Sequence, residues 1–193
     1  MKDILKENRD LIELSKLYER AKKIKLLMLD VDGVLTNGFI IYDNFGDELK
    51  SFNVYDGFGL VLLKKARIPT VIVTAKASKI VKRRARDMQI TKIYQNSQDK
   101  LKVYTKVLKK FRLKDEEICF IADELIDLSV MKRVGFAVSV PNAVREIREN
   151  CHYITKREGG KGAVREVIEL ILKSQDKWEE ITNRYKNEAE TIN

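Results

Sequence analysis

Six short apolar runs punctuate the chain: LLMLDV, TVIVTA, KIYQ, ICFIAD, FAVSV and HYIT. Between them lie segments with helical periodicity, such as DGFGLVLLKKA and QDKLKVYTKVLKKF. Runs this short and nearly continuous fit strands buried on both faces, and their alternation with helices predicts a doubly wound, mainly parallel Rossmann-like α/β sheet. In such a sheet ligands gather at the carboxyl ends of the strands. The polar residues that follow the runs are Asp30 and Asp32, then Thr74, then Asp123 and Asp127. Positions far apart in sequence are thereby expected to converge on one pocket.

The chain's 193 residues suit a single domain spanning 1–193. Within it the apolar positions Ile4, Leu5, Leu11, Ile12, Leu14, Leu17 and Tyr18 recur at helical spacing and predict an amphipathic opening helix over 1–23. The segment 38–54, GFIIYDNFGDELKSFNV, has turn residues at Asn44 to Gly46 between strand-like halves, so it reads as a hairpin flap. It is too short for a cap domain. Gly159, Gly160 and Gly162 form a glycine cluster before the last long apolar helix, and the tail over 174–193 is helical and charged.

A net charge of +9 raises the question of nucleic acid, and SKIVKRRAR is the densest basic stretch. Ile80, Val81, Ala85 and Met88 within and beside it keep helical spacing, so the basic side chains read as the solvated face of an amphipathic helix. No aromatic interleaving or binding motif accompanies them, and no nucleic-acid partner is expected. A positive field equally suits a phosphorylated, carboxylated metabolite. No apolar stretch is long enough to span a membrane and the start MKDILKENRD lacks a secretion signal's apolar core, which predicts a cytoplasmic protein. Cys119 in ICFIA and Cys151 beside His152 read as unrelated thiols, neither disulfide nor metal site.

The most specific signal is Asp30-Val31-Asp32-Gly33-Val34-Leu35-Thr36 after the first run. Two carboxylates so close at a strand end repel unless a cation joins them. Mg²⁺ prefers hard oxygen donors, so an Asp30 carboxylate with the Asp32 backbone carbonyl would suit it, leaving the Asp32 side chain for proton transfer.

This string resembles the first motif of the haloacid dehalogenase phosphatases, and Thr74, Lys100 and Asp123 with Asp127 follow in the order of the later motifs. The segments FNVYDGFGLVLLKKA, DLSVMKRVGFAVSVPNAV and GGKGAVREVIELIL resemble the capless subgroup that acts on 3-deoxy-D-manno-octulosonate 8-phosphate. The resemblance implies an Mg²⁺-dependent phosphomonoesterase with Asp30 as nucleophile and Asp32 as acid and base. Thr74 would hold the phosphoryl group, Lys100 neutralise charge, and Asp123 complete the metal shell, with Asp127 orienting Lys100 or water from behind. It further implies a homotetramer in which the flap and a neighbouring C-terminal segment close each site, and a small anionic phosphorylated sugar acid as substrate in lipopolysaccharide precursor synthesis.

Lower in the order of expectation come Lys76 and Glu124, which stand where the family has Gly-Arg and GDD patterns (here Thr74-Ala75-Lys76 and Ala122-Asp123-Glu124). Asp56 is either a substrate contact or the N-cap of the helix GFGLVLLKKA. Lys161 and Arg165 could reach an anionic substrate across a subunit interface. The alternatives are a phosphatase for a nine-carbon sugar-acid phosphate and a catalytically weak relative serving in binding or assembly.

Overall fold

The computed structural model describes residues 2–190, with side-chain surroundings for residues 11–186. The first helix, α1 (Lys2–Lys22), leads into β1 (Leu26–Leu29), whose four residues are all buried. A two-stranded hairpin of β2 (Ile41–Tyr42) and β3 (Glu48–Leu49) follows, and α2 (Val54–Lys65) leads to β4 (Thr70–Val73). Next come α3 (Lys79–Asp87), β5 (Lys92–Tyr94), α4 (Lys100–Phe111) and β6 (Ile118–Ala122). The chain ends in α5 (Leu128–Met131), β7 (Phe136–Ser139), α6 (Arg145–Glu149), β8 (Tyr153–Ile154), α7 (Ala163–Ser174) and α8 (Trp178–Glu190).

Six strands pair in parallel in the order β5-β4-β1-β6-β7-β8. β1 pairs on one side with β4, Leu27 opposite Thr70, and on the other with β6, Leu27 opposite Cys119. After β5 the chain crosses back over β1 to lay down β6, so the strand order reverses at β1 and opens a crevice at its carboxyl end. The core strands have no exposed face: Leu26 to Leu29, Val71 to Val73 and Ile118 to Ala122 are buried. Each large aliphatic side chain so removed from water contributes about 1.5–3 kcal/mol to holding the sheet against its helices.

The basic helix α3 behaves as its periodicity predicts. Ser78 caps it by accepting from the Val81 N–H at 3.4 Å, Val81, Ala85 and Met88 are buried, and Lys79, Lys82, Arg83 and Arg86 face solvent. Both cysteines are free. Among the described residues no helix is long and apolar enough to cross a membrane.

The opening helix departs from a simple core-packing element. Ala21 is buried and Leu17 packs against the core, but Leu11, Ile12, Leu14 and Tyr18 remain exposed; the side chains of Ile4 and Leu5 lie outside the described residues. At the other end, α8 folds back onto the body: Ile181 is buried, Tyr185 meets the Phe58 ring edge-on at 5.6 Å, and Lys65 Nζ donates to Tyr185 Oη at 2.6 Å.

Candidate active site

The loop after β1 carries Asp30 and Asp32 and lies in the crevice where strand order reverses. Asp30 ends the strand, with its N–H donating to the Ile121 carbonyl of β6 at 3.1 Å. The chain then turns sharply. Thr36 Oγ1 accepts from the Gly33 and Gly38 N–H groups, each at 3.3 Å, closing the loop on itself. Gly33 has φ +82°, and a Cβ there would stand 1.9 Å from Asp123 Oδ2, so both backbone angle and space require glycine.

Around this loop lies a cavity of about 300 Å³ whose walls include Asp30, Asp32, Thr74, Lys76, Lys100 and Asp123. Thr74 is buried at the end of β4, with its hydroxyl accepting from the Lys76 N–H at 3.4 Å. The Lys76 side chain itself is exposed at the mouth. Lys100 is the first residue of α4, where a cation opposes the helix dipole. Its Nζ lies 3.0 Å from Asp30 Oδ2 and 2.5 Å from Asp127 Oδ1, with the lysine and Asp127 side chains 1% and 0% exposed. That ion pairing offsets both the dipole and the burial of three charges.

One lysine does not balance the carboxylates. Asp30, Asp123 and Asp127 can each supply an oxygen within 4.8 Å of the others. Burial pushes Asp123 up to about 8, and the Asp30 and Asp127 charges add to it. Asp127 is pushed up to about 7, first by burial and then by Asp30. Burial also raises Asp30, against the pull of Lys100. For Lys100, burial works against the charge but Asp30 and Asp127 together outweigh it and hold the ammonium above its ordinary value. Asp123 Oδ1 is buried with no hydrogen-bond partner among the described residues. A hard divalent cation fits this donor set: clustered carboxylate oxygens, an orphaned acceptor and a surplus of negative charge.

The hairpin contributes a residue the sequence reading did not single out. Lys50 Nζ reaches back to Asp32 Oδ1 at 2.5 Å and to Glu48 Oε1 at 2.9 Å. Burial would lower this lysine, but its contacts with Asp32 and Glu48 outweigh that and raise it. Asn142 was also missed. Its Nδ2 donates to the Gly33 carbonyl at 2.9 Å while its Oδ1 accepts from the Gly159 N–H at 2.8 Å, tying two loops together. The strand-end position of PNAV after FAVSV was the signal available for it.

One expectation, the Asp56 cap, needs correction, and the other expected residues take definite places. Asp56 does not cap its own helix, because Asn53 does so by accepting from Tyr55 N and Asp56 N. Asp56 is buried, accepts from Gly162 N at 3.2 Å and Arg165 N at 2.7 Å, and so holds the first turn of α7. Burial raises its carboxyl, against those backbone donors. Glu124 lines the Asp30 cavity beside Asp123 and accepts from Leu125 N at 2.7 Å. Within the chain, Lys161 is exposed and paired with Glu158 at 2.7 Å, while Arg165 pairs with Glu169 at 2.8 Å and lies 5.2 Å from the Trp178 ring. Neither lines the Asp30 cavity. The glycine cluster is more than a turn: Gly160 N donates to Val34 O at 2.9 Å, and a Cβ on Gly159 would stand 1.7 Å from the Gly33 carbonyl oxygen.

A parallel sheet with an acidic cluster and a buried lysine at its switch point suits phosphoryl-transfer chemistry. The chain belongs to the haloacid dehalogenase-like hydrolases, whose family model matches residues 61–168, and it is a phosphatase. It is 43% identical over 164 residues to the 3-deoxy-D-manno-octulosonate 8-phosphate phosphatase KdsC of Yersinia pestis, covering 85% of this chain and 88% of that one. Among solved structures it superposes on a haloacid dehalogenase superfamily hydrolase from Legionella pneumophila with a TM-score of 0.90 and 43% identity, over 93% of this chain and 98% of that one. It is also similar to the 3-deoxy-D-manno-octulosonate 8-phosphate phosphatase of Moraxella catarrhalis, solved with magnesium, phosphate and the sugar acid (TM-score 0.85, 42% identity, 88% and 97% covered).

Proposed function

We propose that the protein is an Mg²⁺-dependent phosphatase that hydrolyses 3-deoxy-D-manno-octulosonate 8-phosphate in the cytoplasm, for lipopolysaccharide precursor synthesis. The observation that carries this reading is the gathering of Asp30, Asp123 and Asp127 around Lys100 at the end of β1, in a chain whose relatives bear that activity in their names. Asp30, the Asp32 carbonyl and Asp123 would hold Mg²⁺, with Asp127 fixing Lys100 from behind. The ion would neutralise charge on the phosphoryl oxygens.

The chain's own residues perform the rest. The Asp30 carboxylate attacks phosphorus opposite the bridging oxygen, while Thr74 and the backbone N–H groups after Asp30 hold the phosphoryl oxygens. As the P–O bond breaks, Asp32 gives its proton to the departing alkoxide, leaving a sugar alcohol and an aspartyl phosphate. Asp32, now a carboxylate, takes a proton from water, which attacks phosphorus and restores Asp30. The exposed apolar side chains Phe39, Tyr42, Phe45, Leu49, Val54 and Tyr55 on and beside the hairpin support a homotetramer in which the flaps meet their neighbours.

Asp30→Asn tests the assignment, because an amide cannot serve as nucleophile. Phosphate release with Mg²⁺ is expected to vanish while circular dichroism stays that of the parent. Turnover at the parent rate in the folded variant would contradict the reading.

A further inference from the structure

A lysine on a short surface hairpin ordinarily extends into water. Lys50, one residue beyond β3, does the reverse: its side chain is 1% exposed and its ammonium lies between two carboxylates. Glu48, in the same hairpin, could neutralise it without help. The 2.5 Å contact with Asp32 Oδ1 therefore adds something that Glu48 does not: it joins the hairpin to the loop that carries Asp30. It engages one oxygen of Asp32; that side chain remains 29% exposed and lines the cavity beside Asp30 and Thr74.

A carboxylate on a loop can rotate about its side-chain torsions, and proton transfer needs it within hydrogen-bond reach of the bridging oxygen. Held by one oxygen against a buried ammonium, Asp32 keeps one orientation. We infer that Lys50 is a positioning residue for Asp32, so that the hairpin's placement over the site sets the aim of the acid and base. The inference rests on the proposed role of Asp32 in proton transfer. Lys50 itself, enclosed by Glu48 and Asp32, acts through Asp32 rather than on the substrate.

Leaving-group dependence separates this from a merely structural role. An alkoxide needs a proton to depart, whereas p-nitrophenolate leaves without one, and kcat/KM reports the steps up to that departure. Wild type, Lys50→Met, Lys50→Arg and Asp32→Asn are compared on 3-deoxy-D-manno-octulosonate 8-phosphate and on p-nitrophenyl phosphate, with circular dichroism confirming the fold of each. General acid and base catalysis is worth roughly 100- to 10,000-fold. Lys50→Met is expected to lower kcat/KM on the sugar phosphate by about tenfold or more, with a markedly smaller loss on the aryl phosphate and KM for the sugar phosphate within about threefold. Lys50→Arg is expected to recover part of the loss, and Asp32→Asn to show the same bias more strongly. Equal losses on both substrates in Lys50→Met, or none on the sugar phosphate, overturn the positioning role. Should Asp32→Asn show no bias, the role of Asp32 itself fails, and a wild type inactive on both substrates removes the phosphatase reading altogether.

Discussion

Asp123 and Glu124 are neighbours in sequence with different surroundings. Asp123 has a buried oxygen without a partner and sits among like charges, whereas Glu124 spends its carboxylate on the Leu125 N–H at the surface. Asp123→Ala is therefore expected to abolish Mg²⁺ activation. Glu124→Ala should shift it by no more than the roughly 10- to 100-fold typical of an outer partner of a metal site. Titration of the phosphatase rate with Mg²⁺ checks the pair, and a reversed order would make Glu124 the ligand. At this scale the sequence was legible where strand ends forced convergence, as for Asp30, Thr74 and Asp123. Lys50 was not, because its contact with Asp32 spans 18 residues and depends on where the hairpin folds, which no local pattern in DELKSF encodes.

Each strand could be read from its apolar run because burial on both faces leaves a continuous signature. Caps between distant elements leave none. Asp56 lies in the first turn of α2, a place where an acidic residue suits its own helix, yet it serves α7 at a separation of 109 residues. Removing it leaves two N–H donors at the start of α7 without their acceptor, at about 1–3 kcal/mol for each such group, partly offset by relief of a buried carboxylate. Asp56→Ala is expected to lower stability by about 1–3 kcal/mol net, and Asp56→Asn, which keeps one acceptor oxygen, by less. Urea midpoints for the two variants supply the comparison. An unchanged midpoint in Asp56→Ala would mean the burial penalty cancels the cap.

Among the described residues, large apolar side chains face solvent on the flap and on α1. Phe45 at the hairpin tip is 94% exposed and Phe39, Tyr42 and Leu49 on the same flap are exposed too, as are Leu11, Ile12 and Leu14 on α1. Periodicity identified α1 as amphipathic but could not say that Leu11, Ile12, Leu14 and Tyr18 would remain exposed. Light scattering is expected to give a tetramer, and charged substitutions at Phe39 and Phe45 together are expected to shift it toward smaller species with reduced turnover. A fully active monomer would contradict that assembly.

The loop that shapes Asp30 is braced by Asn142, which grips Gly33 across 109 residues, and by Gly160, which bonds Val34. Contacts this distant along the chain carry the entropy of closing a long loop. During synthesis Asp30 emerges long before Asn142 and Gly160, which brace its loop. A growing chain thus carries Asp30 in a segment that gains its braces only once residues 142 and 160 have been made.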